Sequence, residues 1–159
     1  TINQFIDFVR GSHAESLQDT DLNALITQVT QRYAAFGTAP QLTLAPLPAL
    51  PLRPQALRRL LTNLLDNAYR HGHGQVWLTT AQQGGLVCLT VRDAGPGLPE
   101  SFLETALKPY TRLDGARGSP GTGLGLAIVE RIAQAHQGEV RLSNHPEGGL
   151  VVTVTLPVV

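Results

Sequence analysis

The chain has 159 residues, 42% apolar and 15% charged, which is one domain's worth with enough hydrocarbon for a real core, and that composition excludes a disordered protein. Twelve Lys and Arg balance twelve Asp and Glu, so there is no electrostatic footprint for nucleic acid. The one cysteine, Cys88, can form no internal disulfide and fits a reducing compartment, the five histidines lack metal-ligand spacing, and no apolar run is long enough to span a membrane.

Ile2, Phe5, Ile6 and Val9 form a narrow apolar stripe at helical spacing. So short a helix is marginal alone, so it reads as the end of a longer one packed on a partner. With no Met anywhere and nothing at its start that reads as a secretory signal, the chain is expected to be a piece of something longer. Gly11-Ser12-His13 ends that helix, and the polar stretch to Thr20 reads as a linker.

Thr20 or Asp21 can cap the next helix, whose apolar face is Leu22, Leu25, Ile26, Val29 and Tyr33. The stretch from Gly37 through Pro54 carries five prolines, with a short alternating strand at Gln41 to Leu44. Pro54 then opens a helix, where its missing N–H costs little. Leu57, Leu60, Leu61, Leu64, Leu65 and Ala68 make the core face of this helix. Asn63, Asn67, Arg70 and His71 share a second stripe. Asparagine prefers caps and turns to helix interiors. Two of them stacked on one face suggest either a site or a solvated polar face.

Val76 to Ala81 and Leu86 to Arg92 read as a hairpin turning through Gln82-Gln83-Gly84-Gly85. Val87, Leu89 and Val91 face one way, and Asp93 continues that parity into Ala94-Gly95-Pro96-Gly97. This is either a turn or a carboxylate aimed at a ligand that the glycines let approach. Pro99 to Leu107 reads as a short helix. From Lys108 to Pro120 the periodicity is lost and Arg112 and Arg117 accumulate with small residues, as in a long loop that covers a site.

Gly121, Gly123 and Gly125 alternate and lead directly into Ala127, Ile128, Ile132 and Ala135 at helical spacing. A glycine-rich loop at a helix N-terminus exposes unpaired N–H groups at the positive end of a dipole and suits phosphate. The alternative is a tight loop packed closely on its helix. From Gly138 onward two last strands alternate, Val140 and Leu142 in one, Leu150, Val152, Val154 and Leu156 in the other. The expected architecture is α+β, a two-layer sandwich of one mixed, mostly antiparallel sheet with helices on one face.

The Asn63/Asn67 helix, Asp93-Ala94-Gly95-Pro96-Gly97, Pro109-Tyr110, the arginine-bearing loop and the glycine run stand in the order of the N box, first glycine box, F box and second glycine box. In this the chain resembles the catalytic ATP-binding domain of sensor histidine kinases, with the Bergerat fold of the GHKL superfamily. Gln4 to Phe8 and Asp21-Leu22-Asn23-Ala24 further resemble kinases of the EnvZ type. The resemblance implies that residues 1–15 are the end of a dimerisation and phosphotransfer helix with its linker, and 16–159 the catalytic domain. It also implies ATP and Mg²⁺ as cofactors, with Asn67 as the metal ligand and Asn63 lining the same site. Arg70 would lie near the phosphates, and His71 takes the place of a Tyr that stacks on adenine. Asp93 would accept the adenine amino hydrogen, and Gly95 and Gly97 would admit the base. Gly121, Thr122, Gly123, Leu124 and Gly125 would hold the phosphates, and Arg117, with Arg112 and Tyr110 in the same lid, would reach the γ-phosphate.

Leu107 and Tyr110 stand where that family usually has Phe, and none of His13, His71, His73, His136 and His145 lies in a phosphoacceptor motif. The implied function is transfer of the ATP γ-phosphate to a histidine on a separate dimerisation domain. The piece would be monomeric and cytoplasmic. Its parent would be a homodimer in the bacterial inner membrane that serves a response regulator, with no nucleic acid as partner. Two alternatives are an ATPase clamp of the same superfamily, which carries a water-activating glutamate where Asn63 stands, and a degenerate module that binds nucleotide without transferring phosphate.

Overall fold

The computed structural model describes residues 15–34, 39–71, 74–103 and 125–158. A five-stranded sheet has the order β2 (Gln41–Leu44), β4 (Val76–Gln83), β5 (Leu86–Asp93), β7 (Leu150–Pro157), β6 (Glu139–Asn144). Only β2 and β4 run parallel; the other three pairings are antiparallel. Three helices, α1 (Leu22–Ala34), α2 (Pro54–His71) and α4 (Gly125–Ala135), form the second layer, and α3 (Glu100–Leu103) is a single turn. The two-layer α+β sandwich expected from the pattern is therefore what forms.

One feature departs from the pattern. Gln18–Thr20, expected as linker, is a strand β1 that pairs antiparallel with β3 (Leu50–Leu52) in a separate two-stranded sheet. Three-residue strands are too short to show alternation, and Pro51 argues against a central strand. Pro51 is accommodated because this ribbon is all edge, and its neighbours Leu50 and Leu52 are both buried in the core.

The strands' inward residues meet the apolar faces of the helices. Val76, Leu78, Val87, Leu89, Val91, Val152, Val154 and Leu156 are buried. Their alternates, such as Trp77, Thr90 and Thr153, are only half-buried, as the period of two demands. The predicted stripe of α2 is the centre of the core: Leu57, Leu60, Leu61 and Leu65 are each 0% exposed. Burying each such leucine contributes about 1.5–3 kcal/mol. With that face fixed inward, the orientation of Asn63 and Asn67 is fixed too.

Local chemistry sets the element ends. The Ala24 N–H donates to Asp21 Oδ1 at 3.1 Å, capping α1. Asn23, Thr80 and the backbone of Ala45 form a closed set of hydrogen bonds that ties α1 to β4. Tyr33 on α1 stacks on Tyr69 of α2 at 5.2 Å and donates its hydroxyl to Asp66. Helix α4 ends in a Schellman pair, Gly138 N–H to Ala133 O and Gln137 N–H to Gln134 O, with Gln137 at φ 61°. That tight end turns the chain straight into β6, so α4 and β6 run in opposite senses.

Candidate functional site

Connectivity brings three predicted segments to one end of the sheet. Val76 follows α2 by a short connection and pairs with Asp93, so the end of β5 lies beside the C-terminal end of α2. β6 finishes at the same end, because Asn144 pairs with Leu150 and the Leu150 N–H donates to Asp93 Oδ1 at 3.1 Å. α4 runs opposite to β6 and packs on it and on α2, so its first residue, Gly125, points back to that end.

Asp93 is 3% exposed. Its Oδ1 accepts from two backbone donors, Gly95 N–H at 2.9 Å and Leu150 N–H at 3.1 Å. No described residue bonds its Oδ2. A buried carboxylate needs partners, and two amides supply half of what this one can take.

On α2, Asn63 and Asn67 are half-buried and Arg70 is exposed. The Nδ2 of Asn63 is buried with no hydrogen-bond partner. An orphaned amide donor costs about 1–3 kcal/mol unless something accepts from it. Asp66, the sole carboxylate of this helix, is already engaged by Tyr33 at 2.6 Å. Only the backbone of His71 is described. Around Gly125, nothing described lies within 4 Å of where a Cβ would stand, so packing does not demand glycine there.

Gly95 is buried and Gly97 half-buried, in the loop after Asp93. Gly97 has φ 73°, and a Cβ on it would collide with the carboxamide oxygen of Asn144. Tyr110, Arg112, Arg117, Gly121, Thr122, Gly123 and Leu124 lie outside the described residues, as do the whole loop Lys108 to Pro120 and the end of the helix expected over Pro99 to Leu107.

Sequence reasoning missed the turn that braces this loop. Asn144 bonds both backbone groups of Leu98, and Gly149, at φ 100°, lies so close to the Asp93 carbonyl that a Cβ would collide with it. The cue was His145-Pro146-Glu147-Gly148-Gly149, a turn signal whose partner in space no spacing rule supplies. Beside it, Arg92 lies over Trp77 at 4.6 Å and donates to Gly148 O at 3.3 Å. Among the described residues no group of three His, Cys, Asp or Glu could hold a metal.

Residues 53–159 match the family of histidine kinase-, DNA gyrase B- and HSP90-like ATPases. A sensor histidine kinase component, HK1, of Mycobacterium tuberculosis is 40% identical over 86% of this chain and 81% of its own length. The chain belongs to the sensor histidine kinases. It carries their ATP-binding catalytic domain, as the order of motifs led us to expect. A second M. tuberculosis relative, a probable sensor histidine kinase HK, is 37% identical over 98% of this chain, which spans 42% of that protein's length. The histidine kinase domain of the Escherichia coli osmosensor EnvZ superposes with a TM-score of 0.71 and 31% identity, over 91% of this chain and 90% of that one. Full-length ShkA, solved in complex with AMPPNP, superposes with a TM-score of 0.73 and 30% identity over 90% of this chain and 31% of its own. The EnvZ-type resemblance is thereby borne out.

The kinase site fits a magnesium ion only together with a nucleotide. The α2 stripe offers neutral carboxamides with no free carboxylate, and Mg²⁺ commonly takes one or two protein oxygens, several waters and substrate phosphates. The unpaired Asn63 amide is suited to a phosphate oxygen in the same place. No helix among the described residues is long and apolar enough to cross a membrane.

Proposed function

We propose that this chain binds Mg-ATP and presents its γ-phosphate to a histidine on a separate dimerisation domain of its parent protein. The observation that carries the proposal is Asp93, a buried carboxylate with one oxygen tied to two backbone amides and the other without a described partner. A carboxylate held in that way accepts from the exocyclic amine of adenine and not from the carbonyl of guanine. The family resemblance supplies the remaining roles. Asn67 would ligate Mg²⁺ and Asn63 would donate to a phosphate oxygen. Arg70 lies on the same stripe, and His71 would flank the base. Gly95 and Gly97 shape the loop that receives it. Gly121, Thr122, Gly123, Leu124 and Gly125 would bind phosphate through backbone N–H groups at the start of α4. Tyr110, Arg112 and Arg117 would close over the nucleotide.

In the reaction the bond between the γ-phosphorus and the β,γ-bridging oxygen breaks, a phosphorus–nitrogen bond forms on the acceptor imidazole, and ADP leaves. The magnesium ion supplies charge neutralisation of the phosphates. The protein's share is positioning and electrostatic stabilisation, the main requirements of phosphoryl transfer. Hydrolysis needs an activated water, and α2 has no free carboxylate to act as its base, which argues against the ATPase-clamp reading.

We take residues 1–15 as the end of the dimerisation helix with its linker and 16–159 as the catalytic domain, monomeric when separate. The parent would be a homodimer in the bacterial inner membrane that passes phosphate to a response regulator, with this domain in the cytoplasm. The deciding experiment incubates the chain with γ-labelled ATP, Mg²⁺ and a dimerisation domain from a kinase of this type. Acid-labile label should appear on the added domain and not on this chain. Label on neither protein, with ATP binding intact, would leave a nucleotide-binding module without transfer activity.

A further inference from the structure

The loop from Asp93 to Leu98 is held by a single turn, the one joining β6 to β7. At its start, the Leu150 N–H binds Asp93 Oδ1 at 3.1 Å, and Gly149 is pressed against the Asp93 carbonyl where no side chain would fit. At its end, Asn144 takes both backbone groups of one residue: its Nδ2 donates to Leu98 O at 2.6 Å, and its Oδ1 accepts the Leu98 N–H at 2.9 Å. The same oxygen occupies the space that a Cβ on Gly97 would need. Within the turn, the Gly148 N–H donates to His145 O, and the His145 N–H to Gly149 O, so the brace is internally bonded. Asn144 is itself exposed. It therefore buries little apolar surface, and its contribution is the two-bond clamp.

We propose that Asn144 is a positioning residue for base recognition: by fixing Leu98 it sets where the free oxygen of Asp93 meets the nucleobase, and so sets the preference for a 6-amino over a 6-oxo purine. The inference rests on the reading of Asp93 as the acceptor for the base amine. A loop pinned at both ends leaves the carboxylate one position. Released at Leu98, it is held only through Asp93 and Gly149, and the segment between can shift with respect to a bound ring. The triphosphate would be held elsewhere, by α2 and the start of α4, so the loss falls on the base and not on the phosphates.

The test measures dissociation constants of Mg-ATP and Mg-GTP for the whole chain and its variants by calorimetry, with thermal melts in parallel. Asn144→Ala should weaken ATP by roughly five- to tenfold, the size expected for one or two lost hydrogen bonds. GTP should weaken less than twofold, so that the ATP-to-GTP ratio collapses. Asn144→Asp adds a readout that general loosening does not produce. Its carboxylate keeps the acceptor for the Leu98 N–H but confronts the Leu98 carbonyl, so at pH 7.5 it should behave like the alanine variant. Being isosteric with asparagine, it removes the donor to Leu98 O without opening space, so a collapsed ratio in it reports the loss of that bond. A wild-type ratio carried unchanged into Asn144→Ala overturns the inference while leaving Asp93 in place. A wild type that does not discriminate ATP from GTP overturns the Asp93 reading and this inference with it. Should the alanine variant fail to fold, Asn144→Asp decides alone, and a wild-type ratio in it counts against the clamp.

Discussion

Glu15 gives a quantitative handle on the N-terminal end of α2, away from the candidate site. Its carboxylate accepts from Gln55 N–H at 2.8 Å and Ala56 N–H at 3.1 Å, the second and third residues of α2. It thus caps the helix from a distant point in sequence, where Arg53, just before the helix, has no oxygen to do so. Its backbone carbonyl separately accepts from Arg53 Nε at 2.8 Å. Glu15→Ala removes the two side-chain bonds and a negative charge from the positive end of the helix, and leaves the carbonyl contact. Loss of a cap costs about 0.5–2 kcal/mol, and the dipole term adds about 0.3–1 kcal/mol at low salt. Because Glu15 is only half-buried, a total of about 1–2 kcal/mol is the reasonable expectation. For a chain of this size each kcal/mol moves Tm by about 2–4 °C, so the variant should melt about 2–8 °C lower. Glu15→Gln keeps an acceptor and loses the charge, and should fall between. In high salt the gap between wild type and Glu15→Gln should narrow, since only the charge is screened. ATP affinity should change less than twofold, because Gln55 and Asn63 are eight residues apart on α2, about 12 Å at 1.5 Å per residue. The assay is a thermal melt with calorimetric ATP titration. A Tm within one degree of wild type would refute the cap, and a tenfold loss of ATP affinity would refute the separation of the two ends.

Asn67→Ala should leave the apo melting temperature nearly unchanged but remove most of the Mg²⁺-dependent part of the ATP stabilisation, which is about 2.7 kcal/mol at a hundredfold excess over Kd; equal shifts in variant and wild type would remove Asn67 from the site. Asp93→Asn should weaken ATP more than GTP, since a carboxamide can present a donor where a purine amine requires an acceptor; competition binding with the two nucleotides checks it. His136 accepts the Arg53 N–H at 2.9 Å through Nε2 and donates to Ile132 O through Nδ1, and burial, the larger influence, holds its pKa below the ordinary 6.5. The folded pKa is therefore below the unfolded one, so this contribution to stability is full above about pH 6.5 and is lost as pH falls toward the folded value; His136→Gln should flatten the difference in denaturation midpoint between pH 7.5 and 5.5.

How far the sequence led depends on the range of each interaction. The core face of α2, the cap at Asp21, the hairpin β4–β5 and the inward parity of Asp93 were all legible, because each is a matter of residues a few positions apart. The β1–β3 ribbon was not. Gln18–Thr20 and Leu50–Leu52 are too short for a period, and only their pairing across the fold makes them strands. The same holds for His136, a buried ring that meets Arg53 from far along the chain. At the site, Asn63, Asn67 and Asp93 stood out because asparagines inside a helix and an aspartate continuing a strand's buried parity break local preferences. Asn144 and Gly149 broke none, as asparagine and glycine are ordinary in turns. Their roles exist only because the β6–β7 turn meets the loop after Asp93.

The two ends of α2 differ in how far the chain satisfies its own polar groups. At the N-terminal end the polar groups are satisfied within the chain. The first turn is capped by Glu15, Arg53 donates to the carbonyls of Glu15 and Ala135, and both nitrogens of His136 are bonded. Farther along the helix and at the sheet end it reaches, satisfaction is partial. Asn63 keeps a buried amide without a partner, and Asp93 keeps one oxygen of a buried carboxylate unbonded by any described residue. An orphaned donor costs stability; Arg92 Nε, beside Trp77, is the other such buried atom among the described residues. A partner for Asn63 Nδ2 would accept a hydrogen bond, and one for the second oxygen of Asp93 would donate it. In the proposed reading a nucleotide offers a phosphate oxygen to the first and the amine of adenine to the second.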